Sequence, residues 1–126
     1  MRTSFLASLL ILAPALAQAA PLQVTGKAGY LSEWEVTATA SPSASEAREF
    51  SGPLVVKHIG LCNPNGPVEK TGEIKLKVTG LSRSTLDATL TFGGQTCSFR
   101  AYKAETIEGT MDCPDTRGVP ITLTIK

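Results

Sequence analysis

The sequence predicts an all-β protein, a small antiparallel meander β-barrel of seven to eight strands. Three observations predict it. Apolar residues recur at every second position from about residue 30 to the C-terminus, the period of a half-buried strand, and nowhere after residue 20 does a helical period outlast one turn. The segments between these runs are short and rich in Gly, Pro, Asn, Asp and Ser, which favours antiparallel neighbours joined in sequence. No amphipathic helix is on offer to cover the sheet, so its apolar face must be buried by closing into a barrel or folding into a sandwich. The barrel is the preferred reading because large inward residues (Trp34, Phe50, Leu54, Phe92, Phe99) alternate with small ones (Ala38, Ala88, Ala101, Gly109), as a filled small barrel requires; a β-sandwich is the alternative.

Residues 1–19 read as a signal peptide: Arg2 near the start, an apolar run from Phe5 to Leu16, and small residues at Ala17 and Ala19 that would permit cleavage before Ala20. Residues 20–126 form the expected single β-barrel domain, a length that suits one core. "LQVT" near Leu22 is the optional eighth strand. In "YLSEWEVTA", Tyr30, Trp34, Val36 and Ala38 share one face and Glu33, Glu35 and Thr37 the other. "TATASPSASEA", from Thr37 to Ala47, is of low complexity and reads as a flexible hairpin loop, with one helical turn as the alternative.

"EFSGPLVVKHIGLC" is a longer apolar strand in which Gly52 and Pro53 mark a bulge or bend. "GEIKLKV" turns Ile74, Leu76 and Val78 inward, and "TLDATLTF" does the same with Leu86, Ala88, Leu90 and Phe92. Gly93 and Gly94 allow the positive φ angles of a tight hairpin into "TCSFRAY", with Cys97, Phe99 and Ala101 inward. "TIEGTMDC" places Ile107, Gly109, Met111 and Cys113 on one face, and "VPITLTIK" places Val119, Ile121, Leu123 and Ile125 likewise.

Export sets the chemistry expected of the three cysteines. In a periplasmic or extracellular compartment the default is a disulfide. If successive strands alternate in direction, Cys62, Cys97 and Cys113 all fall at one end of the barrel. Cys97 and Cys113 flank one hairpin, both inward, and are the first choice of bridge; Cys62 is the alternative partner of either. Closing so short a loop contributes roughly 3 kcal/mol.

Several function classes are poorly served. Without Arg2 the chain carries 11 basic and 11 acidic residues, scattered, so the basic footprint of a nucleic-acid binder is missing, and after signal cleavage no apolar run would span a membrane. His58, the one histidine, stands four residues before Cys62, roughly 13 Å apart along an extended strand. Shared ligation would need the strand to break at Gly60, and no Cys-x-x-Cys or His-x-x-x-His spacing exists, so no metal and no cofactor is expected. No Gly-x-Ser-x-Gly elbow singles out a nucleophile for His58, and the carboxylates Asp112 and Asp115 read as turn chemistry, with Asp115 capping beside Arg117.

The layout as a whole resembles small secreted or periplasmic all-β proteins of bacteria. The residues that carry it are "GYLSEWEV", "GPLVVKHIGLC", "EKTGEIKLKV" and "GTMDCPDTRGVPITL", and the resemblance covers nearly all of the mature chain. The resemblance implies an exported β product and transfers no activity. More distantly, a tryptophan early in a meander is similar to lipocalin-like barrels, though this chain is shorter and lacks a Gly-x-Trp motif. The expectation is therefore a noncatalytic binding protein, its ligand-binding candidates Trp34, Tyr30 and His58 and its partner an envelope protein or a small apolar ligand. The competing expectations are a small hydrolase-type enzyme using His58 and an envelope-associated structural protein.

Overall fold

The computed structural model describes residues 20–44, 48–59, 68–79 and 84–126; the expected signal peptide and Cys62 lie outside the described residues. Eight antiparallel strands form one sheet: β1 (Leu22–Ala28), β2 (Trp34–Pro42), β3 (Glu49–His58), β4 (Glu69–Thr79), β5 (Thr85–Phe92), β6 (Gln95–Tyr102), β7 (Thr106–Met111) and β8 (Val119–Ile125). Each pairs with its sequence neighbour from β1 to β6, β7 pairs with β8, and β8 returns to β1. That last pairing curls the meander into a nearly closed barrel, the preferred reading over the sandwich.

Alternation is what makes these segments strands. On β4, Ile74 and Leu76 are fully buried while Glu73, Lys75 and Lys77 face water; on β5, Leu86, Ala88, Leu90 and Phe92 are buried together. β6 contributes Cys97 and Phe99, β7 Ile107 and Met111, and β8 Ile121 and Leu123 to the same interior. An eight-stranded barrel has an interior just wide enough for side chains to fill it or to hold one small ligand. The hairpin at Gly93 and Gly94 is the two-residue turn expected, with φ of 58° and 75° and Phe92 paired to Gln95.

Three local expectations are corrected. "LQVT" is a full strand reaching Ala28, because its partners lie on both sides in β2 and β8. Thr37–Pro42, read as part of a loop, belongs to β2: Ala38 and Ala40 point into the barrel, where small side chains are needed as much as large ones, and composition alone conceals this. Tyr30 is not on the inward face of a strand but in the turn before β2, 67% exposed, because Gly29 adopts φ of 100° and Ser32 φ of 52° and the chain reverses there.

Gly52 and Pro53 insert no extra residue. The β2–β3 register keeps one offset from Trp34 opposite His58 to Pro42 opposite Phe50, and the pairing is interrupted between Ala38–Leu54 and Ser41–Ser51, where Gly52 and Pro53 stand. The glycine also serves close approach, since a Cβ on Gly52 would fall 1.8 Å from the Thr39 carbonyl oxygen.

β6 and β7 form the seam. Among the described residues they share one isolated bridge, in which Ser98 and Asp112 exchange both backbone hydrogen bonds at 2.9 Å. The next pair outward is Cys97 and Cys113, whose Cα atoms are 4.2 Å apart and whose sulfurs are bonded. This is the spacing of a directly opposed, non-hydrogen-bonded cross-strand pair, which puts both thiols on the same face within reach of each other. The first-choice bridge is thus the one formed, though it closes a barrel seam rather than decorating a continuous hairpin ladder.

Candidate functional site

One end of the barrel gathers the ends of β1, β3, β5 and β7 and the beginnings of β2, β4, β6 and β8. A cavity of about 250 Å³ opens there. Its floor is apolar, made by Val36, Val56, Leu90, Phe92 and Met111, and Trp34 forms part of its wall. Its rim is polar, with Tyr30, Glu33, Lys70, Gln95 and Thr116. The disulfide bounds the same mouth through Cys113.

Strand parity explains the wall. Trp34 shares the inward face with Val36 and Ala38, and across the ladder it is opposite His58, which shares its face with Val56 and Leu54. The two rings meet edge to face, with centroids 4.7 Å apart and planes at 71°. Such a pair is worth about 0.5–1.5 kcal/mol beyond area burial. The Lys70 ammonium lies 5.5 Å from the Trp34 ring centroid, within cation–π range. Trp34 is therefore held by an imidazole and an ammonium while still bordering the cavity.

The turn that carries Tyr30 is built by Glu33. Its Oε2 accepts the Leu31 backbone N–H at 2.9 Å, and its carboxylate lies over Gly29, where a Cβ would come within 2.4 Å of it. The Glu33 carbonyl accepts the Ile59 N–H at 2.8 Å, which ties this turn to the end of β3. The Tyr30 hydroxyl reaches across the mouth and donates to the Arg117 carbonyl at 3.4 Å. On the far side, Asp112 Oδ1 accepts the Gly118 N–H at 2.9 Å and shapes the connection into β8; the turn chemistry sought at Asp115 is carried by Asp112.

The three residues singled out from sequence thus converge on one mouth: Trp34 and Tyr30 line the cavity, and His58 braces Trp34 from beside it. Sequence reasoning missed Lys70. The signal was present in β4, where Lys70 has the parity of Gly72, Ile74 and Leu76 and breaks an otherwise apolar inward face. It also missed the apolar rim that Leu31 (88% exposed), Ile59 and Val68 form with Tyr30, the exposed large hydrophobics of this end among the described residues.

A second cavity of about 350 Å³ occupies the opposite end, between Leu22, Phe50, Leu76, Val78 and Leu86 and the Lys103–Glu105 connection. Phe50 and aliphatic side chains line it, and its charged groups, Lys103 and Glu105, belong to the connection that covers it. Among the described residues no three His, Cys, Asp or Glu side chains gather as metal ligands would. Compared with known protein families, curated proteins and solved structures, the chain matches none.

Proposed function

We propose that the chain is an exported, noncatalytic binding protein that holds a small, largely apolar ligand in the mouth bordered by Trp34. The observation that carries this reading is the cavity itself: an apolar floor, an aromatic wall and a few polar groups at the rim, at the end of a barrel whose middle is filled. A volume of about 250 Å³ lies between the 150 Å³ that accommodates benzene and the range of drug-sized ligands, so a ligand of roughly ten to fifteen non-hydrogen atoms fits. The Cys97–Cys113 bridge is consistent with an oxidising compartment and supports export to the periplasm or beyond. Packing His58 edge-on against Trp34 supports a bracing rather than a catalytic use of the one imidazole.

Trp34 is the single tryptophan, so its emission reports occupancy directly. A library of neutral aromatic and aliphatic compounds of that size is screened by thermal shift and Trp34 emission, and hits are measured by calorimetry. Hits whose affinity falls about tenfold or more in Trp34→Ala and is retained in Trp34→Phe support the reading; a library that neither stabilises the protein nor moves the emission defeats it.

A second reading has one observation in its favour. Tyr30, Leu31, Ile59 and Val68 expose apolar surface around the same mouth, as a protein contact would require. Under it an envelope protein docks on this rim, and site-specific cross-linking from position 31 in intact cells yields one discrete adduct; adducts only with abundant bystanders count against it.

A further inference from the structure

The mouth holds one charged side chain, Lys70, that has no acidic partner among the described residues. Lys70 has inward parity on β4, opposite Val56 on β3, and is half buried among Trp34, Val56 and Phe92. Taking an ammonium even partly out of water is unfavourable unless a counter-charge or hydrogen-bond acceptors replace the lost hydration. Among the described residues no carboxylate stands within ion-pairing distance of it; the Arg100 and Asp87 pair lies elsewhere, on the outer face of β5 and β6. Glu33, the one acid bordering the cavity, has its carboxylate on the Leu31 amide and over Gly29. The connection from residue 60 to 67, "GLCNPNGP", contains no acid at all. What holds Lys70 is the face of Trp34, 5.5 Å from its Nζ, and the Gly93 backbone, where a Cβ would meet its Cδ at 3.1 Å. An aromatic face steadies an ammonium without occupying its three N–H donors.

We propose that the ligand of this mouth is a small apolar monoanion, an aromatic or aliphatic carboxylate, whose head group pairs with Lys70 Nζ while its body lies on Val36, Val56 and Leu90. This rests on the binding reading above. The charge count favours it: a neutral ligand offers the ammonium at most a hydrogen-bond acceptor and no counter-charge, a cation is repelled by it, and a dianion finds one positive partner and the Glu33 carboxylate nearby. The charge-assisted pair forms in a partly apolar setting, where it is stronger than on an open surface.

The test uses matched carboxylate and carboxamide pairs of eight to fourteen non-hydrogen atoms, cinnamate with cinnamamide among them, measured by calorimetry at low salt on the disulfide-bonded protein, wild type, Lys70→Met and Lys70→Arg. The expected result is a preference of roughly tenfold for the carboxylate, shrinking with added salt. The preference disappears in Lys70→Met, where the amide still binds within about threefold of wild type, and persists in Lys70→Arg. Amides that bind as well as their acids overturn the anion inference and leave the apolar-binding reading standing. A carboxylate preference that survives in Lys70→Met overturns the assignment to Lys70. If no member of any pair binds, the binding reading fails and the inference fails with it.

Discussion

Single side chains at this mouth have two duties, and substitution separates them. Trp34 is a packing element and a pocket wall at once, so Trp34→Ala is expected to cost about 2 kcal/mol in a denaturant titration, less than the 3–5 kcal/mol of a fully buried tryptophan because its ring is only partly buried. A double-mutant cycle with His58→Ala should return a coupling of about 0.5–1.5 kcal/mol for the edge-to-face contact; additive single losses would mean the rings share no energy. Glycines offer a sharper contrast. At Gly72 a Cβ would lie 1.7 Å from the Thr91 carbonyl oxygen, which is backbone and cannot swing away, whereas at Gly109 nothing lies within 4 Å. Gly72→Ala should therefore destabilise by about 2 kcal/mol or more, and Gly109→Ala should be neutral or stabilising by about 0.5 kcal/mol, compared as midpoint shifts in urea.

Among the elements, β7 is the most weakly integrated. It is six residues long, is laddered to β8 alone, and meets β6 through one bridge and the disulfide that follows it. Because Asp112 turns its N–H and C=O toward β6, alternation turns those of Glu108 and Thr110 the same way, beyond the end of that bridge, while Ile107 and Gly109 point toward β8. Hydrogen exchange should show this directly, with Glu108 and Thr110 amides exchanging well ahead of Ile107 and Gly109; uniform protection along β7 would mean that the seam is zipped in solution. Removing the bridge by Cys97→Ser with Cys113→Ser should lower stability by roughly 3 kcal/mol and accelerate exchange first in β7 and the start of β6, with β2 to β5 following only on global unfolding.

For the molecule as a whole, the connectivity places the seam and the mouth together. Closure by β1 and β8 leaves β6 and β7, among the described residues, joined by a single bridge, and the disulfide fastens them at the end where Trp34 and Lys70 sit. Occupancy of the mouth and the state of the bridge are then linked: a ligand resting against Met111 stabilises the closed form by mass action. A saturating ligand should raise the melting temperature of the disulfide-bonded protein and bind more weakly to the Cys97→Ser, Cys113→Ser variant; equal affinity for both would show that the mouth keeps its shape without the staple.

Much of this was legible in the residues themselves. Period-two alternation in "GEIKLKV" and "TLDATLTF" sets which side chains are inside, because a strand places successive side chains on opposite faces whatever its neighbours are. The paired glycines at 93 and 94 fix a two-residue turn, and Cys97 and Cys113 face each other once their segments run antiparallel. Other features depend on what lies across space. The Ala-rich start of "TATASPSASEA" is strand because Ala38 and Ala40 are buried in the barrel interior between β1 and β3, and Tyr30 leaves its predicted face because the reversal through Gly29 and Ser32 falls just before Trp34. Lys70 is an ordinary lysine in the sequence. It becomes a candidate charge partner only when closure of the barrel brings β2, β3 and the 93–94 turn around it, since sequence fixes the face a side chain occupies and tertiary structure alone fixes what that face meets.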